Sequence, residues 1–172
     1  MHFDASWSEQ VELRDGTAVT LRLLREEDRE QIRRGLARLS DESRYRRFLT
    51  AMPKLTAAQL DYLTRVDQVD HVAIVAFRMA DGGEEEGLAL GRFVALTDRA
   101  GVAEPALTVL DDYQGQGLGT ILMVRLCQAA AERGLHTFHV EFLAENKAIL
   151  SLLDDVSRNE LEVVRDGPLY RG

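Results

Sequence analysis

The sequence predicts an α/β fold, a central sheet with helices before and after it, and places residues 1–172 in a single domain. Three observations predict this. Short runs rich in Val, Ile, Leu and Ala read as strands, His71–Met79 and Ala103–Leu110 among them. Longer segments with apolar residues three and four apart read as helices, above all Gly117–Arg133. A glycine-rich turn, Gln114-Gly115-Gln116-Gly117-Leu118-Gly119, joins the last of those strands to that helix.

The elements follow in order. Val11 to Leu24 reads as a hairpin turned at Asp15-Gly16, with Val19, Leu21 and Leu23 alternating after it. Glu26 to Leu39 reads as a helix on the spacing of Ile32, Leu36 and Leu39, and Asp28 supports its start. A second helical stretch runs near Asp41 to Leu49, and a third begins at Thr56, where Thr56 and Gln59 have capping-box form. His71–Met79 is a strand, Asp81–Gly87 a turn with Glu84 to Glu86 in water, and Leu88–Thr97 the next strand. Ala103–Leu110 follows, then the glycine turn and the helix to Arg133, which Gly134 stops. Thr137–Leu143 reads as one strand, Lys147–Leu153 as a short helix and Leu161–Val164 as a last strand before Asp166-Gly167.

Composition narrows the function. Net charge is −8 and the pI about 5.0, so no basic stripe for nucleic acid is expected. The dense basic stretch, Arg44-Tyr45-Arg46-Arg47, reads as a solvated helix face. No apolar run has the length of a membrane span, and residues 1–10 lack the apolar core of a signal peptide. Cys127 is the single cysteine, on the apolar side of a helix, which suits core packing and a reducing cytoplasm. The histidines show no metal-ligand spacing, so no metal is expected.

The glycine turn carries the chemistry. The first N–H groups of a helix lack partners within it, and the helix dipole adds positive potential there. Gly115, Gly117 and Gly119 let a pyrophosphate approach that backbone, and Thr120 adds a hydroxyl. The spacing fits neither G-x-G-x-x-G nor the P-loop, which needs Gly-Lys-Ser/Thr.

Gln114-x-x-Gly117-x-Gly119, after a strand ending Thr108-Val109-Leu110-Asp111 and before Asn146, resembles the Q/R-x-x-G-x-G/A signature of the GNAT N-acetyltransferase superfamily. Asp15-Gly16-Thr17, Leu39-Ser40-Asp41-Glu42-Ser43-Arg44-Tyr45 and Val66-Asp67 resemble, more narrowly, the bacterial Pat-type protein-lysine acetyltransferases. The resemblance implies a mixed central sheet flanked by helices, with splayed fourth and fifth strands and two full strands after the last helix; this sequence departs from it there, with a final strand short or missing. It implies acetyl-CoA as cosubstrate and a protein lysine, or a small amine, as acceptor. It places pantetheine on the backbone of Leu107, Thr108 and Val109, and pyrophosphate on the N–H groups of Gln114, Gly115, Gln116, Gly117, Leu118 and Gly119 with Thr120 at the edge. Asn146 would face the pantetheine or the acceptor. Ala103-Glu104-Pro105-Ala106 matches the Pat pattern A-E-x-A, which makes Glu104 the general base.

Pro105 belongs at an edge or bulge, and its place beside Glu104 is a departure that bears on that residue's position. Glu141 and Glu145 would flank the far side of the cleft, as surface carboxylates or else as groups that hold substrate or back up the base, and Arg44, Tyr45 and Arg47 would suit the acceptor entrance as well as a solvated helix face. Leu153, or else Leu152, stands where many relatives carry a proton-donating Tyr. The chain after Asp166-Gly167 is short for a full strand. Truncation, a vestigial strand or a second chain completing the sheet would each account for it, and the last points to a homodimer. Two further readings stay open: a non-catalytic acyl-CoA-sensing domain of the same fold, and an interaction domain with a fortuitous glycine turn.

Overall fold

The computed structural model describes residues 2–48, 56–157, 164–166 and 169–171. Strands β1 (Ser8–Glu12) and β2 (Ala18–Leu23) form the expected hairpin, with Gly16 at φ +85° in its turn. Helices α1 (Arg29–Ala37), α2 (Asp41–Phe48) and α3 (Ala57–Thr64) follow. The Thr56 capping box is present: its hydroxyl accepts from the Gln59 N–H, and its own N–H donates to Gln59 Oε1 at 2.8 Å. Then come β3 (His71–Met79), β4 (Glu85–Ala95), β5 (Val102–Val109), α4 (Leu118–Glu132), β6 (Thr137–Phe138), β7 (Glu141–Leu143), α5 (Lys147–Ser157), β8 (Val164–Asp166) and β9 (Leu169–Arg171).

The main sheet runs β1-β2-β3-β4-β5-β6 and is antiparallel except for the β5–β6 pair. Helix α4 lays Leu122 and Leu126 on one face, against Gly91 and Leu107. Helix α1 covers the other, where Ile32 and Leu36 line a small gap with Val75, Leu90 and Thr108. The core between these layers includes Leu21, Ile74, Phe93 and Leu118, all fully buried. Residues alternate across a strand. Leu107 and Val109 therefore face α4, whereas Glu104, Ala106 and Thr108 face α1 to α3.

Four expectations change. Strand β4 starts at Glu85 rather than Leu88, because the acidic run is paired instead of solvated. Glu85 accepts from Arg22 at 2.9 Å, and Glu86 from both Arg78 and Arg38 at 2.7 Å. Helix α5 runs on to Ser157. The last strand lies later than expected: β8 begins at Val164, and residues 161–163 fall outside the described residues.

The largest change is that Thr137–Leu143 is not one strand. β6 pairs with Val102 and Ala103 of β5, and β7 belongs to a separate sheet ordered β7-β9-β8. The final strand is thus short but present. It lies between β7 and β8, so the gap expected to call for a second chain is filled by the chain's own β9.

Pro105 explains the divergence. It sits in unbroken antiparallel register opposite Phe93, without a bulge, so Glu104 keeps its regular place opposite Val94. The Ala103 carbonyl accepts from the His139 N–H at 2.9 Å, which sets the side to which odd-numbered residues of β5 turn their main chain. Pro105 turns the same way and has no N–H to give. Pairing with β6 ends there, and the main chain of Leu107 and Val109 faces the opening between β5 and β7.

Candidate active site

The opening is a cavity of about 450 Å³. Its floor is β5 from Pro105 to Val109, one end is the glycine turn, and Glu141, Phe142, Asn146 and Leu152 form the far wall. Ser43, Arg46 and Arg47 of α2 close it on the other side of the sheet. Of the residues singled out in the sequence, Leu107, Thr108, Val109, Gln114, Gly115, Gly117, Gly119, Thr120 and Asn146 line it. Gln116 and Leu118 are not among the lining residues, and the Leu118 side chain is fully buried. Glu104 is exposed and lies beyond the lining, two residues from Ala106 on the same face of β5. That offset is about 7 Å along a strand.

The turn leaves main-chain N–H groups open at the start of α4. Gly115 has φ +73° and Gly117 φ +90°, the left-handed region that glycine enters without strain. Gly117 is the N-cap of α4 and has no side-chain cap, so the N–H groups of Leu118, Gly119 and Thr120 are left for a ligand. At Gly119 an added Cβ would lie 3.0 Å from Leu152 Cδ1 and 3.4 Å from Leu107 Cδ2. Glycine there lets α4, α5 and β5 meet. Gln114 differs from expectation: its N–H is engaged with the Asp111 carbonyl at 3.2 Å, so the free donors begin after it.

The turn is braced from two sides. The Gln114 side-chain amide donates to the Val109 carbonyl and to Ser43 Oγ, both at 3.1 Å. Asp111 accepts from Ser43 Oγ at 2.6 Å and from the Ser40 hydroxyl and N–H at 2.8 and 3.0 Å. Burial opposes the Asp111 charge, but these hydrogen bonds outweigh it and hold its pKa below the usual carboxylate value. Arg14, which the sequence reading did not single out, comes from the β1–β2 turn. Its N–H donates to the Gln116 carbonyl at 3.2 Å, and its guanidinium to the Gly115 carbonyl at 3.3 Å.

Asn146 caps α5, accepting from the Ile149 N–H at 3.3 Å while it faces the cavity. Of the two leucines considered for the place of a proton-donating Tyr, Leu152 lines the cavity and Leu153 packs in the core. Glu141 lines the cavity and Glu145 does not. Burial pushes the Cys127 thiol pKa up, in keeping with a packing role.

The basic stretch on α2 is a solvated face only in part: Tyr45 is exposed, whereas Arg46 and Arg47 line the cavity. Arg44 donates to the Leu39 carbonyl at 2.9 Å, and Arg46 pairs with Glu42 at 2.5 Å. Arg47 turns inward, donating to Thr108 Oγ1 at 3.1 Å. Burial, then the nearby charge of Arg92, lowers the Arg47 pKa to about 10.

The GNAT acetyltransferase domain model matches residues 18–156. The chain is 37% identical over 146 residues to acetyltransferase PA5475 of Pseudomonas aeruginosa, covering 85% of this chain and 76% of that one. It is 37% identical over 158 residues to acetyltransferase Pat of Mycolicibacterium smegmatis, covering 90% of this chain but only 46% of that longer protein. Among solved structures, the GNAT domain of S. lividans PAT superposes with a TM-score of 0.85 at 30% identity, covering 99% of this chain and 97% of that one. The chain therefore belongs to the GNAT acetyltransferase family and is an acyl-CoA-dependent acetyltransferase.

Proposed function

We propose that this chain moves an acetyl group from acetyl-CoA to a primary amine, a protein lysine, with Glu104 as general base. The observation that carries the reading is the single cavity that joins the uncapped start of α4 to the α2 side of β5. Acetyl-CoA supplies the activated acyl carbon. The N–H groups of Leu118, Gly119 and Thr120 hold the pyrophosphate, with Arg14 positioning the turn. The main chain of Leu107 and Val109 takes the pantetheine arm, since Thr108 turns its own toward β4.

A lysine ammonium has an ordinary pKa of about 10.4 and must lose a proton to attack. Glu104, on the acceptor face but beyond the lining, takes that proton through a bridging water. The amine nitrogen bonds to the thioester carbon, the carbon–sulfur bond breaks, and the thiolate leaves. Leu152 has no proton to give, so water protonates the thiolate. The Pat-type resemblance supports a protein lysine as acceptor.

A second reading, acyl-CoA sensing without turnover, is favoured by that same Leu152. Thiol release from acetyl-CoA against a panel of proteins, peptides and small amines tests both. Release with a lysine acceptor supports transfer. Tight acetyl-CoA binding without release on any acceptor supports sensing.

A further inference from the structure

Arg92 of β4 is only 7% exposed, and its Nε and Nη1 have no hydrogen-bond partner among the described residues. The same fold treats another buried guanidinium differently. Arg22, 5% exposed, is held by Asp28 at 2.7 and 2.8 Å and by Glu85 at 2.9 Å. A buried cation without a carboxylate is costly, and folds pair such groups unless a ligand does so.

Arg92 is not alone. The register sets His71, Arg92, Glu104 and Thr108 on one face of the sheet. His71 Nε2 is buried and also without a partner among the described residues. Arg47 reaches down from α2 to Thr108 and lines the cavity. Tyr62, 56% exposed, lies over the Arg92 guanidinium at 4.4 Å, so Arg92 is one side chain from solvent. No ion pair joins Arg47 or Arg92 to an acid among the described residues, and residues 49–55 contain no Asp or Glu. Burial and the Arg92 charge lower the His71 pKa to about 4, and burial and the same charge lower that of Arg47. A bound anion would relieve both.

The geometry points to a carboxylate receptor built from Arg47, Arg92 and His71, adjoining the acyl-transfer cleft at Thr108. The carboxylate is carried by one of the two substrates: the amine acceptor, or a dicarboxylic acyl group on CoA. The inference rests on the acyl-transfer reading for its place in catalysis. Arg47 meets the anion at the cavity wall, and displacement of the Tyr62 ring gives it Arg92. A planar guanidinium suits a carboxylate, which it binds by two parallel hydrogen bonds.

Two rate comparisons identify the source. In one, succinyl-CoA and acetyl-CoA are compared with the same lysine peptide, one without carboxylates. In the other, acetyl-CoA is given a lysine peptide with an acidic side chain beside the lysine, or the same peptide with that acid as its amide. The expected result is a preference of about tenfold or more in kcat/KM for the carboxylate in one comparison, lost in Arg47→Gln. Arg92→Met serves as the second variant if it folds. The His71 imidazole resonances, followed while succinate is added, give a readout independent of turnover and are expected to shift at millimolar succinate or below. No preference in either comparison together with unmoved His71 resonances overturns the receptor and leaves acetyl transfer standing. Absence of thiol release on every acceptor overturns transfer, and the His71 titration then decides the receptor by itself.

Discussion

The Gln114 side-chain amide donates to the Val109 carbonyl at 3.1 Å and to Ser43 Oγ at the same distance. One side chain thus locks the glycine turn to the end of β5 and to α2. Gln114→Leu keeps the size and removes the donors. Each neutral hydrogen bond contributes about 1 kcal/mol. Acetyl-CoA affinity, measured by calorimetry, is expected to weaken about three- to tenfold. An unchanged affinity would show that the turn holds its shape without this tie.

Gly117 and Gly119 fail differently when changed to Ala. Gly117 has φ +90°, which costs an L-residue about 1–2 kcal/mol, and no clash accompanies it. Gly119 has an unstrained backbone, but its new methyl meets Leu152 at 3.0 Å. Gly117→Ala should lower urea stability by about 1–2 kcal/mol. Gly119→Ala should be less costly in a Leu152→Ala background than in the wild type, because Leu152→Ala removes the methyl that the new Cβ meets, although it costs packing of its own. Equal effects of Gly119→Ala in the two backgrounds would count against this packing account.

Glu104→Gln removes the proposed base and keeps the shape. Its exposed place opposite Val94 makes a folding defect unexpected. General-base removal costs about 100- to 10,000-fold. The expected outcome is a fall of that order in kcat below pH 8 with acetyl-CoA affinity unchanged, and partial recovery at higher pH where the amine sheds its own proton. A rate equal to that of the wild type at pH 7 would remove the assignment.

His71 makes stability depend on pH. Burial and Arg92 hold its pKa at about 4 in the fold, against an ordinary value of 6.5. Asp67 acts in the opposite sense and is outweighed. Between pH 6.5 and 4 the unfolded chain binds a proton that the folded chain refuses. Stability is therefore retained above pH 6.5 and lost as the pH falls through that window. The loss is on the order of 1–2 kcal/mol after allowing for partial exposure. Urea titrations at pH 7 and pH 4.5 should show a smaller drop in His71→Gln than in the wild type.

What the sequence made legible was local. His71–Met79 matches its strand at both ends, and the start of α4 falls at Leu118, beside the expected Gly117. Both follow from near-neighbour patterns of apolar residues and glycine. What stayed hidden depends on partners far along the chain. Arg14 reaches Gly115 and Arg47 reaches Thr108, pairs that no spacing reveals. Glu85 and Glu86 looked like a solvated turn because Arg22, Arg38 and Arg78 lie elsewhere in the sequence. The break between β6 and β7 was half legible. Pro105 was visible, but its effect falls on a strand more than thirty residues later.

That break leaves the sheet with a vacant strand position beside β5. The main chain of Leu107 and the N–H of Val109 offer hydrogen bonds there that β6 and β7 do not take up among the described residues, the Val109 carbonyl being held by Gln114. The pantetheine arm, with its two amides, is the chemical equivalent of a short extended peptide. On the proposed reading, binding of the donor would be strand addition by a small molecule. The walls of the cavity, Phe142 and Leu152 among them, keep the open main chain from pairing with another sheet while leaving room for a single extended arm.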